Sequence, residues 1–220
     1  MKKLSCVLVL LCLFVILSMC TNPSVKLQIY SNCNNLSFIS NLDIYKDNSP
    51  IESTQYIGHF NFDNKTAHII LNRRFYLNNH KLVGNWFSAE IYVVNNNLKK
   101  LIITPPHSQY NLTDNISEKI FNIKKNEFYS FIWERNPYNL TIFAIENGKL
   151  TKVGNNTYKI EIPSNISRIL VENGFGMKKT KSKADKVEGI LYTYKNSIKM
   201  VEFTSKYQNI TYKFKLEVIR

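Results

Sequence analysis

The chain has 220 residues, with 29 Lys and Arg against 16 Asp and Glu and a formal net charge of +13. Seven glycines and four cysteines leave no glycine-rich phosphate loop opening a helix and no disulfide framework. A body of about two hundred residues buries roughly 70 % of its surface, so it needs no covalent staples to fold.

Lys2 and Lys3 follow Met1, Leu4 to Leu17 is an almost unbroken apolar run, and Ser18 and Cys20 precede the polar Thr21, Asn22, Pro23 and Ser24. Charge, apolar core and small-residue exit, in that order, form a secretory signal over residues 1–20. As a helix the apolar run reaches about 21 Å against a hydrocarbon core of roughly 30 Å, so export is expected rather than a membrane span. Within this stretch, Leu17-Ser18-Met19-Cys20 resembles the box of bacterial lipoproteins. Leu17 and Ser18 follow its pattern, and Met19 stands where Gly, Ala or Ser is usual. The relaxed box and the Lys- and Asn-rich composition resemble spirochaete lipoproteins, and the resemblance covers the first twenty-odd residues only. It implies that Cys20 becomes the lipidated first residue of the mature chain. The partner would then be a membrane, reached through an N-terminal lipid anchor, and the location the bacterial cell envelope. The alternative is ordinary cleavage after Cys20 and a soluble chain secreted to the extracellular space.

Cys6 and Cys12 leave with the signal, so Cys33 stands alone and reads as a small buried residue. Unpaired cysteine usage in an exported chain fits a bacterial origin. Lys2 and Lys3 carry two of the positive charges, which leaves +11 for the body. Such an excess either spreads over solvated faces or favours anionic lipid, sulfated glycan or an acidic protein partner, and export disfavours nucleic acid.

Along the body, Val25, Leu27 and Ile29 alternate with polar residues in a first strand over 24–31, and Ile210, Tyr212, Phe214, Leu216 and Val218 do so in the last. His59 and His68 fall in strand-like runs, where neighbouring strands can bring them together. The Pro105-Pro106 pair and the polar residues after it break the pattern at 105–117, and residues 117–125 suggest a short helix. Asn147-Gly148 has the chemistry of a type I′ hairpin, so residues 139–162 read as a three-stranded meander turning again at Gly154-Asn155-Asn156. Asn173-Gly174 and Asn196-Ser197 mark further turns, asparagine serving where glycine is scarce. The expected fold is all-β, an antiparallel β-sandwich in two small modules, 21–104 and 118–220, joined by a linker at 105–117. One larger sandwich or barrel is the alternative. Trp86 and Trp133 are candidate core anchors of the two halves.

No catalytic residue is assigned. There is no HExxH, no CxxC pair and no GxSxG, and Asp43, Asp63, Asp114 and Glu134 are isolated in sequence. No metal or cofactor is expected. The densest local feature is the basic stretch at Lys178, Lys179, Lys181, Lys183 and Lys186, a candidate anion-binding loop between strands. Eight sequons begin at Asn35, Asn64, Asn111, Asn115, Asn139, Asn155, Asn165 and Asn209, a modest excess over the roughly four that composition gives. The functional expectation is a non-enzymatic exported envelope lipoprotein with a binding or structural role at a membrane surface. The alternatives are a soluble secreted glycoprotein that binds host or competitor molecules, and an exported hydrolase of unrecognised type.

Overall fold

The computed structural model describes residues 34–76, 87–181 and 186–219. The first expected strand, Cys20, Cys33, Trp86 and Lys183 lie outside the described residues. Eleven strands form one antiparallel sheet: β1 (Asn35–Lys46), β2 (Ser49–Asn61), β3 (Thr66–Phe75), β4 (Phe87–Val94), β5 (Asn97–Thr104), β6 (Ser108–Gln109), β7 (Lys149–Gly154), β8 (Thr157–Ile162), β9 (Lys186–Tyr194), β10 (Ser197–Tyr207) and β11 (Ile210–Ile219). Their spatial order is β6-β5-β4-β3-β2-β1-β11-β10-β9-β8-β7.

The antiparallel β class is the expected one. The division into two modules is corrected. Strand β1 pairs with β11 over ten residues, from Ser37 opposite Ile219 to Lys46 opposite Ile210, so one sheet runs through both halves. The 105–117 segment is no linker, since it carries β6 and the start of a helix.

Strand periodicity sorts the two faces. On β1, Leu36, Phe38, Ser40, Leu42 and Ile44 are buried while the residues between them are half-exposed, and β11 buries Tyr212, Phe214 and Leu216 with Lys213, Lys215 and Glu217 outside. The inner face is covered by four helices, α1 (Asp114–Phe121), α2 (Phe128–Trp133), α3 (Pro137–Asn147) and α4 (Ser164–Glu172). The second layer closing the core is therefore helical. Phe38 sits in the middle of the inner face, 5.6 Å from the Tyr56 ring, 5.7 Å from Phe60 and 6.1 Å from Tyr138 of α3. On the other flank Phe175 stacks on Phe214 at 4.9 Å and lies 6.1 Å from Phe203. Trp133 does anchor a core, edge-on to Phe60 at 5.8 Å.

Helix α3 overturns the expected hairpin at Asn147-Gly148. Asn136 caps the helix by accepting from the Asn139 amide at 3.0 Å, and Pro137 occupies the first turn. Seven of its eleven residues are buried, so it shows no polar stripe and its apolar run passes for a strand. Helix α1 starts at Asp114 rather than Ser117 because Thr113 caps it, accepting from the Ile116 amide at 3.2 Å. Asparagine turns behave as expected. Asn48, Asn95, Asn96, Asn156 and Asn196 all carry positive φ between paired strands.

The sheet has two rims. Asn34, the β2–β3, β4–β5, β7–β8 and β9–β10 turns and Ile219 lie on one, here the leading rim, because β1 begins there. The β1–β2 and β10–β11 turns and the start of β9 lie on the opposite rim.

Candidate functional site: an edge cleft and the polar outer face

Strand β6 covers only the second half of β5, pairing with Ile102 and Ile103. Among the described residues the first half of β5 is an edge, with the Leu98 amide donating to the Tyr129 hydroxyl at 2.9 Å. Beside it opens a cleft of about 290 Å³ whose lining includes Lys99, Lys100, Lys125, Gln109, Tyr110 and Tyr129. It adjoins a second, shallower hollow through Lys125 and Tyr129, which adds Lys124 and Asp114. Three lysines, two phenols and two amides, Gln109 and Asn111, around an opening of this size suit an anionic ligand with planar or sugar-like faces. Sequence reasoning missed this cleft, because Lys99-Lys100 and Lys124-Lys125 are ordinary doublets until β5 and the α1–α2 connection adjoin.

On the outer face a transverse row runs Ser37, His59, His68, Tyr92 and Lys100, one residue per strand from β1 to β5. The sequence expectation that His59 and His68 meet is met: they are directly opposite, with ring centroids 6.0 Å apart. The Ser37 hydroxyl and His59 Nδ1 are 2.8 Å apart. His68 stacks on Tyr92 at 4.2 Å. Glu90 accepts from the Tyr92 hydroxyl at 2.6 Å and lies 3.0 Å from His68 Nε2. The Tyr92 hydrogen bond, then His68, hold the Glu90 carboxyl below its ordinary value, and the same bond raises the Tyr92 phenol. A depressed carboxylate contributes stability above the unfolded carboxylate range and loses it as pH falls through the folded value. The melting temperature is therefore expected to drop on acidification below the ordinary carboxylate range, and Glu90→Gln to flatten part of that drop. The effect should stay within the ~1 kcal/mol of a partly exposed pair. Thermal melts of both proteins across acidic pH read it directly.

The basic stretch is not a single cluster. Lys178 turns inward and pairs with Glu52, Lys179 pairs with Glu127 at 2.6 Å, and Lys186 pairs with Glu188 at the start of β9. Lys181 is exposed, and Lys183 lies outside the described residues. Three of the five ammonium groups thus already face a carboxylate. Arg73 is buried beside the first pair, its Nε 3.6 Å from Glu52, its guanidinium donating to the carbonyls of Lys119 at 3.3 Å and Ile120 at 2.6 Å. Burial lowers the Lys178 ammonium and Glu52 opposes that; the same balance acts on Arg73. This triad was invisible in sequence, since 126 positions separate Glu52 from Lys178.

Among the described residues no group of three His, Cys, Asp or Glu is placed to hold a metal ion. Two carboxylate residues, Glu161 and Glu188, are directly opposite each other on β8 and β9. Each is paired with a lysine, at 3.1 Å from Lys159 for Glu161, and Lys186 lowers the Glu188 carboxyl, the reverse of what a general acid requires. Of the sequon asparagines, Asn139 is committed to the fold, its amide donating to the Trp133 carbonyl at 2.6 Å. No helix among the described residues is long and apolar enough to cross a membrane. No family model matches the chain, and no curated protein does.

Proposed function

We propose that the chain is a non-enzymatic, exported envelope lipoprotein, acylated on Cys20, whose β body binds an anionic partner at a membrane surface. The observation that carries this reading is the order of residues at its start: Lys2-Lys3, the apolar run Leu4 to Leu17, then Ser18-Met19-Cys20 and an abrupt turn to polar sequence. The apolar run is too short to serve as the anchor itself, and two acyl signals or one with basic support give a firmer hold than a single chain. The edge cleft supports the binding part of the reading, because it gathers Lys99, Lys100 and Lys125 with Tyr110 and Tyr129. Detergent phase partitioning in a lipoprotein-processing bacterium tests the anchor. The wild type is expected in the detergent phase, and Cys20→Ala is expected to leave it. A wild type found wholly in the aqueous phase would overturn the proposal.

A further inference from the structure

Five large apolar side chains are exposed among the described residues, and four of them, Val94, Val153, Tyr194 and Ile219, stand on the leading rim. Each sits at a turn or strand end, where core packing asks for nothing apolar. The fifth, Ile51, is on the opposite rim. The leading rim also carries exposed lysines, among them Lys65, Lys152 and Lys195, while its turns hold a single acid, Asp63. Lys195 lies over the Tyr194 ring and Lys65 over the Trp133 ring, each at 5.5 Å. Backbone hydrogen bonds stitch neighbouring segments there: Phe62 to Asn34 at 2.9 Å, Asn96 to Lys65 at 3.0 Å, Thr193 to Asn156 at 2.8 Å. Neighbouring turns of the rim are therefore tied to one another, and the 33 residues before Asn34 join the body on this same rim.

Apolar tips, a tyrosine and lysines together match the layered chemistry of a bilayer surface. Apolar side chains enter the headgroup boundary, and the amphipathic ones keep their polar ends among the phosphates. We propose that the leading rim docks on an anionic phospholipid bilayer, with the four apolar tips in the headgroup layer and the turn lysines against the phosphates. This deepens the membrane-surface reading above and does not depend on acylation. It places the β5 end of the cleft near the lipid. Lys178, against Glu52, and Lys186, opposite Lys206, then lie toward the far rim, about 36 Å away along the length of β1.

The mature chain, as its host processes it, is placed on phosphatidylcholine vesicles with and without about a quarter phosphatidylglycerol and labelled with a membrane-impermeant amine reagent. On the anionic vesicles Lys152 and Lys195 are expected to react at least about fivefold more slowly, Lys46 and Lys206 of the opposite rim at their original rates, and Val153→Asp with Ile219→Asp to remove the protection. Equal labelling on both vesicles, or protection confined to the opposite rim, would overturn the proposal. The mass of the same sample reports Cys20 acylation separately. Rim protection in an unacylated chain would sink the lipoprotein reading alone, and an acylated chain without rim protection would sink the docking alone.

Discussion

Glu52→Gln is expected to lower unfolding free energy by about 3–5 kcal/mol, the cost of stranding buried charge. The Glu52 side chain is 12 % exposed and faces two cations that are equally enclosed, Arg73 at 8 % and Lys178 at 13 %. Thr54 adds a hydrogen bond to the same carboxylate oxygen at 3.1 Å. Burial disfavours both cations, and Glu52 is the charge that opposes it in each case. Remove that charge and the Arg73 guanidinium still has the carbonyls at the end of α1, where a cation suits the helix dipole. Among the described residues the Lys178 ammonium pairs with Glu52 alone. Adding Lys178→Met to Glu52→Gln should therefore return part of the loss, whereas two independent losses would simply add. Urea unfolding of the two single variants and the double variant measures the coupling.

Gly176→Ala is the second large effect, expected at about 3 kcal/mol or more because the backbone itself must yield. Gly174, Phe175 and Gly176 follow one another at φ of 51°, 51° and 88°, a left-handed run that throws the Phe175 ring onto Phe214 and Phe203. A Cβ on Gly176 would meet the first turn of α3 at the Pro137 nitrogen, the Asn136 carbonyl carbon at 2.5 Å and the Arg135 oxygen at 2.7 Å. Those are backbone atoms, with no flexible side chain to move aside. Gly154→Ala is the contrast: its Cβ would find only Thr157, at 3.7 Å and beyond. Thermal melts should separate the two by roughly 6–12 °C, since each kcal/mol shifts a domain of this size by roughly 2–4 °C.

Local physics was legible in the sequence, and long-range pairing was not. The alternation at Ile210 to Val218 marked β11 and its buried face because period two is a property of the strand itself. Asparagine turns were readable for the same reason. Helix α3 was lost because a helix buried on most sides shows no period, although its Asn136-Pro137 start was a cap signal that outweighs Asn147-Gly148. Nothing local says that β1 pairs with β11, so one sheet read as two modules. The basic stretch looked like free charge because Glu52 and Glu127, which answer Lys178 and Lys179, are supplied from distant parts of the chain. The cleft and the apolar tips of the leading rim emerge only when turns far apart in sequence share one end of the sheet.

Cys20 is proposed to tie this sheet to a membrane. Intact mass of the mature protein from a lipoprotein-processing host, with an acyl label and a Cys20→Ala control, tests it most directly. The expected result is an N-terminal Cys20 carrying diacylglyceryl mass, absent from the control. An unlabelled chain beginning at Thr21 would contradict it.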